Sequence, residues 1–191
     1  MNLSPLKADT IRKRGKYRFS YVLSGYVMDR TYRPMVTFRL CQATGNWNII
    51  GKPFHWFCRL MHRWACNNAG IDLPWKTKIA GGFTLTHGWG VVINPNAVIG
   101  KNVTFFNGVT LGQRDKIAKD GTRFTEYPVI EDEVWVGPHA MIVGGVVIGK
   151  GSRIAGGAFI TESIPPYSTV VGNPATIVKT GSHPDVMFPA P

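Results

Sequence analysis

Apolar residues recur along the second half of the chain with a period that suits neither a helix nor an ordinary strand. Ile130, Val136, Ile142, Ile148, Ile154 and Ile160 fall six apart, and Val134, Ala140, Val146, Ser152 and Ala158 follow four residues after each of the first five. A helix needs apolar positions every three or four residues, and a half-buried strand every two. A six-residue period is the signature of a parallel β-helix, in which each phrase forms one short face of a coiled prism. The aliphatic side chain then points into a narrow core, and the small residue four later fits the corner. The same spacing begins earlier, at Ile79, Leu85 and Val91, and resumes after a two-residue slip at Ile93, Ile99, Phe105 and Leu111. Residues 113–128 interrupt it with a charged excursion. Ile164-Pro165-Pro166 ends it, because proline cannot continue the ladder. The expected fold is mainly β, a parallel β-helix over residues 71–180 with an excursion loop at about 113–128 and a loose tail at 181–191.

Residues 1–70 follow a different rule. Residues 1–20 read as a polar, poorly ordered arm, and residues 21–44 and 53–69 as a short helical region. In the second helix Phe54, Phe57, Leu60, Met61 and Trp64 recur at three- and four-residue spacing. Pro53 suits the first helical turn, and Asn67-Asn68-Ala69-Gly70 supplies a stop. The stripe reads as packing surface for the end of the prism, which would otherwise be an open sheet edge.

Charge divides along the same boundary. Residues 1–66 hold 12 Lys/Arg against Asp9 and Asp29, a net +10, while residues 67–191 hold 10 Lys/Arg against nine acids, a net +1. Such asymmetry points to a partner of opposite sign. Nucleic acid is not expected, because no helix-turn-helix, zinc or RNA-binding signature accompanies the charge. A solvated basic arm, a peripheral contact of residues 1–66 with anionic membrane and a contact with an anionic glycan remain. No 18-residue apolar run could span a bilayer, and no secretion signal is visible. The three cysteines, Cys41, Cys58 and Cys66, are odd in number and form no CxxC pair. They read as buried reduced thiols of a cytoplasmic protein, one able to work at the inner face of the membrane.

Chemistry enters with three segments. Leu85-Thr86-His87-Gly88-Trp89-Gly90-Val91-Val92-Ile93, Val109-Thr110-Leu111-Gly112 before the excursion, and Val170-Val171-Gly172-Asn173-Pro174-Ala175 after it resemble, in that order, the hexapeptide-repeat acyltransferases. Within them the chain is similar to the serine O-acetyltransferase branch, above all to its short polysaccharide relatives of the colanic-acid type. The resemblance runs from about residue 71 to 179. It implies a left-handed β-helix, a homotrimer with active sites in grooves between subunits, and acetyl-CoA as co-substrate without a permanently bound cofactor. It also implies that His87 takes the proton from an acceptor hydroxyl, which then attacks the thioester. Asp72, at the family's acidic position, is expected to orient the ring; one coil is three hexapeptide phrases, and the slightly shorter spacing from Asp72 to His87 puts the acid on a neighbouring coil. For acetyl-CoA the resemblance implies Gly112, Gln113, Pro138 and Gly156 along the pantetheine, with Arg153 and Lys179 for the phosphates. Pro138 departs from the pattern, since proline lacks the N–H expected there. No metal is expected, because His87 and His139 are the only histidines within the repeats and a zinc enzyme of this fold needs three.

Thr86, Asn107, Glu126 and Tyr127 are the expected acceptor contacts. Serine enzymes of the branch carry an acid where this chain has Thr86, and an Arg-His pair where it has Glu126-Tyr127. An acid and a phenol do not favour a carboxylate. The expected acceptor is therefore a sugar hydroxyl in surface polysaccharide biosynthesis. Serine acetylation in cysteine biosynthesis is the alternative reading, and a catalytically silent β-helix scaffold a third.

Overall fold

The computed structural model describes residues 3–191. Three sheets of parallel strands, the second closed at one edge by the antiparallel strand Thr176–Lys179, wrap a narrow prism. The first face stacks Lys78–Ile79, Val98–Ile99, Val129–Ile130 and Val147–Ile148. The second stacks Thr84–Leu85, Thr104–Phe105, Trp135–Val136, Arg153–Ile154 and Thr169–Val171. The third stacks Val92–Ile93, Thr110–Gly112, Met141–Val143 and Phe159–Ile160. Within the regular coils Trp135 pairs with Arg153 and Met141 with Phe159, a step of three hexapeptide phrases. The inward aliphatics lie on one another from coil to coil: Ile99 on Ile130 and Ile148, Leu111 on Ile142 and Ile160, all fully buried. Ala140, Val146, Ser152 and Ala158 are buried at the corners, as their spacing predicts.

The irregularities have definite places. The step from Thr84 to its partner Thr104 exceeds three phrases by two positions. The extra two lie between Leu85 and Val92, at the corner joining the second face to the third, and that corner contains His87. The excursion is no irregular loop: Arg114–Ile117 and Arg123–Glu126 pair antiparallel as a hairpin. It leaves after the third face and returns before the first.

Four helices sit on the first coil: α1 (Pro5–Arg14), α2 (Phe19–Met28), α3 (Arg33–Thr44) and α4 (Lys52–Ala69). Residues 5–14 are therefore not a disordered arm. The physical reason is the free edge of the first coil, whose main-chain groups have no strand to pair with. Side chains from the helices meet them one by one. His62 Nε2 donates to the Leu73 carbonyl at 2.7 Å and Gln42 to Thr77 at 3.2 Å. Arg39 donates to Ile79 at 2.7 Å and Ala80 at 2.6 Å, and Arg12 to Gly82 at 3.3 Å. Asp9 accepts from the N–H groups of Gly82 and Phe83 at 2.8 and 3.0 Å. Asp9 and Arg39 also grip each other at 2.7 and 3.2 Å, both buried. Burial pushes the Asp9 carboxyl up, while Arg39 and the two backbone donors pull it back. Burial lowers the His62 imidazole, which stays neutral with its proton on Nε2.

Two further expectations change. The stripe of α4 does not face the prism: Phe54, Phe57, Leu60 and Trp64 are exposed, and Cys58, His62, Ala65, Cys66 and Ala69 pack inward. Small residues are needed there for His62 to reach the Leu73 carbonyl. The three cysteines are buried and free, and burial pushes the Cys41 and Cys66 thiols up to about 12. The tail is not loose either. Ser182 bonds to the Tyr167 carbonyl at 2.7 Å, Asp185 to Arg153 at 2.9 Å, and Ala190 exchanges two bonds with the buried Asn102 side chain. Arg12 donates to the Met187 carbonyl.

Breaking the buried pair from one side leaves an uncompensated charge beside unpaired main-chain groups. Arg39→Ala is expected to destabilise the fold by about 3–5 kcal/mol, measured by urea unfolding; a loss below about 1 kcal/mol would show that water replaces the cap.

Candidate active site

His87 stands on the lengthened corner. His87, Gly88 and Gly90 all have positive φ, at 62°, 57° and 67°, and the Trp89 N–H closes the turn on the His87 carbonyl at 2.8 Å. A left-handed conformation at a non-glycine residue is uncommon and costs free energy. Here the surroundings hold it. Arg30 donates to the His87 carbonyl at 3.0 Å and lies over the Trp89 ring at 3.1 Å. Thr31 approaches Gly88 so closely that a Cβ there would meet its methyl at 3.1 Å. The imidazole itself is exposed, with Phe106 tilted 6.3 Å away between centroids.

The segment carrying Arg30 and Thr31 is fixed by Asp29. Its Oδ1 accepts from the Thr31 N–H, the Thr31 hydroxyl and the Tyr32 N–H at 3.0, 2.8 and 3.1 Å. Lys13 lies 3.4 Å from Oδ2 and also reaches the Thr31 hydroxyl and the Leu85 carbonyl. Burial raises the Asp29 carboxyl, but Lys13 and these hydrogen bonds outweigh it and hold the group below its ordinary value of 3.8. Nothing in the sequence pointed to Arg30 or Asp29. Both lie far from His87 along the chain, and neither sits in a motif.

The other site residues fall on two corners of the prism and one face. Thr86 and His87 in the first coil, Asn107 in the second, Pro138 and His139 in the third and Gly156 in the fourth share the corner between the second and third faces. Asn107 Nδ2 lies 3.1 Å from His139 Nε2, and a Cβ at Gly108 would collide with the His139 ring. Pro138 lacks an N–H, but its carbonyl accepts from Gly157 at 2.8 Å. Gly112, Gln113, Glu126 and Tyr127 lie at the opposite edge of the third face, where the hairpin leaves and returns; Gln113 accepts from Asn94 at 3.2 Å. Arg153 and Lys179 both register with Thr169, so they flank it on the second face. Arg153 lies over Trp135 at 4.4 Å. Asp72 pairs with Val92 at the free edge of the third face, one coil from the His87 corner as its spacing predicts. It is exposed and no hydrogen bond joins it to His87 in the single chain. It lines a cavity of about 370 Å³ together with Arg59, Arg63 and Asn67 of α4.

Residues 127–162 match the family model described as bacterial transferase hexapeptide (six repeats). Over these residues the chain is similar to that family's six-residue repeat. Its most similar relatives include the serine acetyltransferase of Bacillus subtilis (strain 168), 35% identical over 130 residues, which is 68% of this chain and 58% of that protein. Among solved structures, the soybean serine acetyltransferase apoenzyme matches with a TM-score of 0.72 and 28% identity, covering 92% of this chain and 68% of that one. The Brucella abortus (strain S19) serine acetyltransferase in complex with coenzyme A matches with a TM-score of 0.70 and 25% identity, covering 93% and 67%. The prism is thus a left-handed β-helix. The chain spans about half the length of the first curated relatives it matches, 58% of one and 48% of the next.

These matches overturn the expectation of a polysaccharide enzyme with a sugar acceptor, since the relatives are serine acetyltransferases. The misreading has a physical source in Glu126. It is not a free acid: Lys116 and Arg114, across the hairpin, lie 2.8 and 3.4 Å from its oxygens. The Lys116 bond, then Arg114, holds its carboxyl below the ordinary range. The two cations outnumber the one acid, so this corner does not repel a carboxylate. In sequence Glu126-Tyr127 stands apart from Arg114 and Lys116, and only the hairpin brings the opposite strand beside it. No helix of the described residues is long and apolar enough to cross a membrane, and no three His, Cys, Asp or Glu of the described residues converge as metal ligands would.

The folded value of Asp29 lies below 3.8, so between the two values the unfolded chain binds more protons and stability rises with pH. The contribution is complete above 3.8 and disappears as pH falls through the lower folded value. Wild type should therefore exceed Asp29→Asn in stability at neutral pH, and the gap should close as pH falls through the lowered folded value. A gap that persists in acid would remove the ionised carboxylate from the account.

Proposed function

We propose that this protein transfers the acetyl group of acetyl-CoA to the hydroxyl of serine, giving O-acetylserine and free CoA. The observation that carries this reading is the His87 turn, an exposed imidazole held by Arg30 and Thr31 on the lengthened corner of a hexapeptide prism. It is joined by the likeness to serine acetyltransferases, one of them holding coenzyme A.

In this reading neutral His87 takes the proton from the serine hydroxyl as its oxygen attacks the thioester carbonyl carbon. The tetrahedral intermediate collapses, the carbon–sulfur bond breaks, and the imidazolium returns the proton to the departing CoA sulfur. Asp72 favours the imidazolium electrostatically from the neighbouring coil. Arg114 and Lys116 supply the positive charge that serine's carboxylate needs. Gly112, Gln113, Pro138 and Gly156 would line the pantetheine, with Arg153 and Lys179 towards the phosphates; Arg153 must then exchange Asp185 for phosphate.

In one chain the His87 corner and the hairpin stand at opposite edges of the third face. A homotrimer, in which the hairpin of one copy reaches the His87 corner of the next, would unite them. Thr86 and Asn107 would come from one copy, Glu126 and Tyr127 from its neighbour.

Free CoA release should depend on serine and should fall on the order of 10²–10⁴-fold in His87→Ala. Turnover that needs no serine, or that survives this substitution, would refute the reading. The shared site has its own check. Co-expressing His87→Ala with a chain carrying Arg114→Ala and Lys116→Ala, each inactive alone, should restore activity, because some sites in the mixed trimers combine two intact halves. No recovery in confirmed mixed trimers would place the whole site within one chain.

A further inference from the structure

The helical cap is apolar on the wrong side for a protein that ends in water. Between α2 and α4 runs an open groove of about 200 Å³, walled by Phe19, Leu23 and Tyr26 on one side and Phe54, Phe57 and Met61 on the other. Its lining is almost wholly hydrocarbon. Ile49 and Ile50, in the turn entering α4, are 77% and 88% exposed. Trp47 stacks on Phe54 at 5.7 Å and extends the same surface. Exposed apolar area of this continuity marks a contact surface.

Its charge says what kind. Between Asp29 and Asp72 the chain has no acid and six Lys/Arg. One of these, Arg39, is buried with Asp9. Three of the remainder border the apolar patch at tryptophans or at the turn: Arg33 lies over Trp64 at 5.2 Å, Arg59 over Trp56 at 4.5 Å, and Lys52 follows Ile49–Gly51 directly. Arg63 is exposed on α4 beside them. A second copy of this chain is a poor occupant. A two-fold contact through this face sets it against itself, bringing the same cations together with Asp72, at the cavity beside Arg59 and Arg63, as the one acid near them. A lipid surface fits both halves of the pattern. Phenylalanine and isoleucine enter the acyl boundary, tryptophan sits at headgroup level, and lysine and arginine meet anionic phosphates.

We infer that α2, the turn at 45–51 and the outward face of α4 form a peripheral docking surface for anionic membrane. Arg12 and Lys13 of α1 take little part, since they are engaged with the prism and with Asp29. The surface is separate from the His87 imidazole, although its Arg59 and Arg63 also line the cavity at Asp72, and its use does not depend on the proposed reaction.

Sedimentation of the full chain with vesicles tests this. Vesicles of phosphatidylcholine with about one third phosphatidylglycerol should bind it at low ionic strength, and pure phosphatidylcholine much less. Ile49→Glu combined with Ile50→Glu should weaken binding at least about tenfold, and Lys52→Glu with Arg63→Glu about fivefold or more. Both variants change exposed side chains, and circular dichroism melts should match wild type. Failure of the folded wild type to bind anionic vesicles overturns the inference, as does binding that both variants retain. Self-association that Ile49→Glu with Ile50→Glu abolishes, without any vesicle binding, would assign the face to a second copy.

Discussion

The first coil of a β-helix has one edge that no strand covers, and much of this molecule's N-terminal architecture answers that fact. Main-chain carbonyls and N–H groups from Leu73 to His87 would be left without partners where helices cover them, and each unpaired buried group costs about 1–3 kcal/mol. Side chains from α1, α3 and α4 and from the segment before α3 take the place of the missing strand. Most of the edge groups they meet are acceptors, so most of the side chains must be donors, and arginine offers five N–H groups in a fixed fork. Part of the charge imbalance of residues 1–66 is thus hydrogen-bonding demand. Asp9 is the exception because it faces two N–H groups, and Arg39 neutralises it in place.

The same constraint sets the geometry of the His87 turn. The cap brings Arg30 and Thr31 against the corner where the repeat is lengthened. A longer corner with three left-handed residues could sample many shapes. Pressed under the cap, it holds one. Fold stability and imidazole placement are therefore coupled through Asp29, Lys13 and Arg30.

Legibility in the sequence followed the physics of each part. The prism was plain because a repeated inward aliphatic at every sixth position has no rival explanation, and Ile130 through Ile160 stack as their spacing requires. The cap was invisible because its acceptors are main-chain atoms, which carry no sequence signal. The apolar stripe of α4 is legible in the sequence, but the direction it faces is not. Periodicity shows that a helix has a stripe, not which side is covered, and the small inward residues Ala65, Cys66 and Ala69 were the overlooked clue. His87 stood out through its motif. Glu126 misled because its meaning depends on Lys116 and Arg114, which only the pairing of the hairpin brings beside it.

The last residues change how such a prism can come apart. A solenoid is close to one-dimensional: each coil touches only its neighbours, and it can fray from either end. Here residues 182–190 run from Tyr167 in the final coil, past Arg153, to Asn102 in the second coil and Arg12 in the cap. That segment ties the two ends of the stack together. Fraying at the last coil must then loosen the helices on the first, so a linear array acquires the cooperativity of a closed ring.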